Sequence, residues 1–239
     1  MKDASFREKL SYFWDYYKWY VIGGIILIAM VVSLIRTQLN RRDSAFYVVL
    51  INFADLNAEP ETLESAFLEK LGADPGEYEV NFDTTLTLHL DRLDEATNAS
   101  AQKLTVMIAA KELDYAVMGE DLFRNYAYQE TYKPLTDYLS AEEMAQYESE
   151  GKIFYIDRAR VEEYKESLES YEPKEFLFPD PFDPESMEDP VPMALLLDES
   201  RLLKENYICV DEGQRIFGAA LINAPHEDAL DLFINYILP

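Results

Sequence analysis

The chain is 239 residues long, carries a formal net charge of −25 and contains one cysteine. That length suits one substantial domain or two small lobes plus an appendage, and the lone Cys209 excludes an internal disulfide, a CxxC redox motif and a cysteine-rich zinc site. The charge is unevenly spread: residues 1–42 hold seven Lys or Arg against Asp3, Glu8 and Asp15, a net of +4, which leaves −29 on the remaining 197. An acidic body repels phosphate backbones, and no basic stripe interleaved with aromatics follows residue 42, so nucleic acid is not an expected partner.

Between Lys18 and Arg36 lie seventeen uncharged residues, "WYVIGGIILIAMVVSLI". This is the short end of what spans a bilayer as a helix, and snorkelling of Lys18 and Arg36 would extend its reach. Upstream, "SFREKLSYFWDYYKWY" places Phe6, Leu10, Phe13 and Tyr17 at helical spacing, with Trp14, Trp19 and Tyr20 near the apolar run. Such a band suits a membrane boundary. A cleaved signal peptide and a buried core helix are the alternatives. Three acids in the leader and the lack of an A-x-A-like site before "RTQLNRR" speak against the first. An all-round apolar helix with charged flanks speaks against the second. Four basic residues precede the run and three follow it within seven positions, so the positive-inside rule is close to a tie.

Next, "SAFYVVLINF" (44–53) is a β-rich run, and "NAEPETLESAFLEKLG" reads as a helix with Pro60 in its first turn, Leu63, Phe67 and Leu71 on one face and Gly72 as its stop. "EYEVNFDTTLTLHL" alternates Tyr78, Val80 and Phe82 with polar residues as a second strand. The helix in "ATNASAQKLTVMIAAKELD" turns Ala101, Leu104, Met107 and Ile108 to a core, and "YAVMG" is a third strand. Strand, helix, strand, helix, strand predicts right-handed crossovers and a parallel sheet, hence an α/β body. Beyond Gly119 the chain is mostly helical through Tyr147, "YKPLTDYL" is a turn-broken piece, "KIFYIDRA" a strand and "RVEEYKESLESY" a charged helix. The proline-rich "YEPKEFLFPDPFDPESMEDPVP" reads as a linker or loop. "MALLLD", "NYICVD" and "RIFGAALIN" are strands, and "APHEDALDLFINYIL" is a closing helix with Leu230, Phe233 and Ile237 inward.

With these elements placed, the chain resembles the extracytoplasmic solute-binding proteins of bacteria, which have the type 2 periplasmic-binding-protein fold. Three stretches carry the likeness: "QKLTVMIAAKELDYAVMGEDLFRNYA", "YKPLTDYL" and "FGAALINAPHEDALDLFINYIL", about a third of the body. The resemblance implies two α/β lobes with a ligand held between them, residues 45–118 and 205–239 forming one lobe and 119–204 the other. It also implies a body outside the cell, a short cytoplasmic N-terminus and a single uncleaved helix over about residues 19–35. No Cys occurs in the first 208 residues, so this helix would do the anchoring that a lipidated cysteine does in Gram-positive members.

In open α/β sheets ligands lie beyond the carboxyl ends of strands. Those ends are "NFADLN", "DTT" and "GEDLF". Asp55, Thr84, Thr85, Glu120 and Asp121 are therefore candidate polar contacts, with Phe123 and Tyr126 as apolar walls. Each also has a plainer reading as a helix cap or solvated loop.

Catalytic and metal chemistry is sparse. The only histidines, His89 and His226, lack any H-x-x-x-H or H-x-E context, and no G-x-S-x-G, P-loop or G-x-G-x-x-G occurs. His226 reads as a first-turn helix residue. Asp180, Asp183 and Glu185 in "DPFDPESMED" lack the spacing and Gly of an EF-hand and read as a solvated loop. No enzyme activity and no cofactor is expected. Two readings follow: a membrane-tethered module that binds a small solute, or a cell-envelope accessory protein that contacts a membrane or envelope partner.

Overall fold

The structure, a computed structural model, describes residues 6–39, 42–56, 61–92, 94–169, 176–211 and 213–238. The chain divides into two compact units, residues 1–43 and 44–239.

The first unit is one long helix, α1 (Phe6–Leu39), in which the aromatic leader and the apolar run are continuous. Its window Tyr16–Ser33 has a mean hydropathy of 1.5 and none of it is buried, so the helix is long and apolar enough to cross a membrane. A signal sequence meets the same criterion. Trp19 and Tyr20 stand 74% and 78% exposed, and the rings of Tyr16, Tyr17 and Tyr20 succeed one another at 5.5 and 6.3 Å, forming an aromatic band at one end of the apolar run.

The second unit is built on a six-stranded mixed sheet in the order β3 (Tyr78–Asp83), β1 (Asp43–Leu50), β4 (Tyr115–Gly119), β8 (Ile216–Ala220), β6 (Pro190–Leu196) and β5 (Ile153–Asp157). A separate ribbon pairs β2 (Phe53–Asp55) with β7 (Tyr207–Cys209). β1 and β4 are parallel, with Val48 opposite Tyr115, and α3 (Glu95–Ala109) lies in the connection that leads into β4. Three further pairs depart from the expected parallel sheet: β4 with β8, β8 with β6 and β6 with β5 are antiparallel.

Helices cover both faces, which is why β1 and β4 read as unbroken apolar runs. Phe46, Val48, Leu50, Tyr115 and Val117 face α2 (Glu61–Leu71), α5 (Ala141–Ser149) and α7 (Leu230–Ile237). Val49, Ile51, Ala116 and Met118 face α3, α4 (Glu120–Ala127) and α6 (Val161–Glu169). On the first side the ring of Phe233 lies 4.8 Å from Phe46 and 5.2 Å from Phe67, so the closing helix packs on β1. On the second, Phe123, Phe154 and Phe217 cluster at 5.0 to 6.0 Å.

Three details differ from the sequence reading. β5 and β6 lie in the stretch expected to form a separate lobe, yet they join the same sheet through β8, and residues 44–239 are one compact unit. Apolar burial accompanies this joining: Phe154, Ala194 and Leu195 are almost wholly buried, and the Phe154 ring lies 5.0 Å from Phe217 of β8. Second, β3 stops at Asp83, whose carboxylate accepts the Thr85 N–H at 2.8 Å and turns the chain. Third, β6 begins inside the proline-rich stretch; its pairing with β5 shifts register between Phe154 and Tyr155, where Tyr155 faces Pro192, a residue with no N–H for a regular ladder. Residues 171–175 of that stretch lie outside the described residues.

Candidate functional site

β1 and β4 end side by side, and a cleft of about 390 Å3 opens where they stop. Its polar lining is Asn52, His89, Asp91, Asp121, Asp211 and Gln214, and Leu88, Leu90 and Leu122 form its apolar wall.

Asn52 organises the cleft. It follows β1 with φ 63, a left-handed conformation that Asn tolerates better than most residues, and this turn aims its side chain across the strand ends. Its Nδ2 donates to Leu88 O and to Asp211 Oδ2, both at 2.6 Å, while its Oδ1 accepts from Leu88 N at 2.8 Å. Its backbone N–H donates to Leu86 O, and its carbonyl accepts from Val210 N. Burial to 3% exposure is tolerable because each polar group is engaged. One residue thus fastens the segment after β3 and the segment after β7 to the end of β1.

The opposite wall starts at Gly119, the residue before α4. A Cβ built there would lie 2.4 Å from Gln214 Oε1, so glycine leaves room for that side chain. Gln214 Oε1 accepts the Asp121 N–H at 3.2 Å, and its Nε2 donates to Asp121 Oδ2 at 3.2 Å. Gln214 therefore caps α4 from 93 positions away, a task that local sequence assigns to an N-cap side chain glycine does not have. His89 is held by Arg92, whose guanidinium lies 2.6 Å from Nε2.

Among the described lining residues are three carboxylates and no Lys or Arg. Such walls accept hydrogen bonds from neutral or cationic groups and repel anions. No group of three or more His, Cys, Asp or Glu among the described residues is placed to hold a metal ion.

Of the sequence candidates, Asp121 lines this cleft. Glu120, beside it, is committed elsewhere: it accepts from Arg124 at 2.5 Å and from Arg215 at 2.8 Å, and the Arg215 guanidinium lies 4.1 Å from the Phe182 ring centre. Phe123 is not a wall. It is fully buried, stacked on Tyr132 at 4.7 Å, because α4 turns it into the core and presents Leu122 to the cleft. Tyr126 packs against the same core, and burial pushes its phenol above the usual value. Thr85 accepts from Lys103 Nζ, which also bonds Asp83; neither Thr84 nor Thr85 lines the cleft. Asp55 pairs with Tyr207 in the ribbon, away from the lining.

Asn52, His89, Asp91, Asp211 and Gln214 are site residues the sequence reading did not select. Only Asn52 carried a local signal, an Asn directly after an apolar strand. The others reach the cleft through pairings far apart in the chain.

A second polar arrangement lies where β4 begins. Asp114, with no exposed side-chain surface, accepts from Tyr47 N and His226 N at 2.8 Å, and His226 Nδ1 lies 3.0 Å from its Oδ2. Burial pushes its carboxyl above the usual range. His226 stands just before the 3-10 turn Glu227–Ala229 that leads into α7, outside the first turn where its sequence position put it, and its side chain makes no cap hydrogen bond there.

Against known proteins, the chain matches no family model, no curated protein and no solved structure at a significant level.

Proposed function

We propose that the protein is a membrane-tethered, extracytoplasmic ligand-binding module. In this reading α1 spans the membrane once, the acidic body lies outside, and the cleft at the ends of β1 and β4 holds a small neutral or cationic solute such as an amine, a peptide or a sugar. The observation that supports it most directly is the assembly of the cleft from Asn52, His89, Asp91, Asp121, Asp211 and Gln214, drawn from distant parts of the chain to the carboxyl ends of two parallel strands. This is the site that the likeness to solute-binding proteins implies, the end of the "YAVM" strand. The cleft belongs to one compact unit, so binding there needs no closure of separate lobes. The reading includes no catalysis: among the described residues, no nucleophile with an adjacent base lines the cleft.

A second reading, a cell-envelope accessory protein, is favoured by the outer face of the β2–β7 ribbon. Ala54 pairs with Ile208 there, and Leu56, Ile208 and Val210 stand 56%, 50% and 52% exposed. An apolar ribbon of that kind suits a protein contact.

A thermal-shift screen of the full chain in mild detergent, against neutral and cationic metabolites, separates the two. A ligand at a hundred times its dissociation constant adds about 2.7 kcal/mol of stability. Asp121→Ala and Asp211→Ala should reduce the shift, and Phe182→Leu, outside the cleft, should leave the response intact. If no compound shifts the protein while photo-crosslinking from position 208 captures a defined envelope protein, the accessory reading replaces the binding one.

A further inference from the structure

A carboxylate only accepts hydrogen bonds, so in the neutral imidazole of His226 the contact with Asp114 puts the hydrogen on Nδ1 and leaves the lone pair on Nε2. Nε2 has no partner among the described residues. The ring, its side chain 36% exposed, lines a hollow of about 540 Å3 whose neighbouring walls are Ala45, Leu71, Ala73, Tyr78 and Pro225. This hollow shares no lining residue with the cleft at the ends of β1 and β4.

We propose that the hollow is a second binding site, for a small amine with an apolar body, whose N–H is accepted by His226 Nε2. The alanines, the leucine, the proline and the Tyr78 ring offer apolar surface. The volume falls within the range of about 300–1,000 Å3 common to small-molecule sites. A ring nitrogen locked as an acceptor calls for a donor. Glu227 and Asp228 at the rim and the Asp114 carboxylate behind the ring make that donor cationic or neutral rather than part of an anion. Glu227 is also bonded to Lys133 at 2.7 Å, which leaves Asp228 as the rim carboxylate without an ion pair among the described residues. An alkylammonium, with an ordinary pKa about four units above that of imidazole, keeps its proton and donates it. The site is independent of the cleft reading.

The chain supplies its own reporters, because its only two histidines fall one in each cavity: His89 in the cleft, His226 in the hollow. The full chain, labelled with 15N-histidine and held in mild detergent above neutral pH, is titrated with phenethylamine and, as the anionic control, phenylacetate. His89→Gln and His226→Gln assign the two pairs of nitrogen resonances. The expected result is a saturable shift of His226 Nε2 with phenethylamine, none with phenylacetate, and a dissociation constant raised about tenfold or more by His226→Ala, the scale of one lost hydrogen bond. Asp114→Asn should weaken binding as well by releasing the ring; should that variant not fold, His226→Ala still decides, since its side chain is partly exposed. No saturable movement of His226, an equal response to phenylacetate, or affinity unchanged in His226→Ala overturns the proposal. Movement of His89 alone would place the amine in the first cleft and overturn it too.

Discussion

The side chains of Asn52 and Asp211 meet at 2.6 Å although 159 positions separate them. Their bond joins the turn after the first strand of the body to the turn after the ribbon strand β7, and both residues line the cleft. The same contact that holds two distant segments together therefore sets the spacing of the cleft walls.

Asn52→Ala removes three side-chain hydrogen bonds, leaves Leu88 N and O without those partners, and puts alanine at φ 63. The expected cost is about 2–4 kcal/mol from unpaired buried groups and left-handed strain. Urea denaturation measures it, and a loss below about 1 kcal/mol would show that Asn52 does not organise this end of the sheet.

Tyr115 is fully buried and its hydroxyl has no hydrogen-bond partner among the described residues, so Tyr115→Phe should leave stability unchanged or raise it by up to about 1 kcal/mol. Gly218, on the neighbouring strand, has no room for a side chain: a Cβ there would stand 2.5 Å from Tyr115 Cε1 and 2.6 Å from Leu197 Cδ1, both in fully buried residues. Gly218→Ala should cost about 1–3 kcal/mol. Because the Tyr115 hydroxyl is itself only 2.9 Å from that Cβ, the double variant should lose less than the sum; strict additivity in a double-mutant cycle would refute the shared clash.

Glu143 ties the start of α5 to α7. It accepts from the Ser140 hydroxyl at 2.6 Å, the Ser140 N–H at 2.9 Å and Asn235 Nδ2 at 3.0 Å. The Ser140 hydroxyl first, then Asn235, holds its carboxyl down at about 2, while burial, followed by the contact with Glu143, pushes Asp231 the other way. A carboxyl depressed in the folded state contributes stability that is full above its ordinary value near 4.5 and fades as pH falls towards 2. Glu143→Gln should flatten the loss of stability over that window. An unchanged acid limb in circular dichroism melts would disprove it.

Protease added to intact cells should degrade the acidic body, and full protection of the body would reverse the proposed orientation. Alkaline extraction should leave the chain in the membrane fraction with its first residues still attached. A mature protein that begins after residue 36 would instead identify the apolar run as a cleaved leader.

Much of the body was legible because its signals are local. Val48/Val49 and Val117/Met118 turn alternate faces to two helical layers, and Leu63, Phe67, Leu104 and Met107 recur at helical spacing and are buried. What escaped depends on pairing at long range. Nothing in "IFGAA" reveals that it runs antiparallel between β4 and β6, because a strand covered on both faces is apolar throughout, whatever its neighbours' direction. The cleft shows the same limit. A cleft does border the strand ends, yet Phe123 and Leu122 differ only in the direction α4 gives them, and Gln214 comes from the segment leading into β8, 93 positions from Asp121.

The position of β8 has a consequence for how the chain is made. Sheet order places this late strand between β4 and β6, so a growing chain holds two unjoined pieces, β3–β1–β4 and β6–β5, until residues 216–220 emerge. β4 is complete at Gly119, and at about 5–20 residues per second its free edge waits several seconds for its partner. β4 throughout that interval, and β6 only after residue 196, each expose a row of unpaired N–H and C=O groups, the feature that lets strands of different chains pair. A chain stopped short of Ile216 would do more than lack a closing helix: it would carry two open apolar edges, and crowded nascent chains would be most prone to aggregate at that stage.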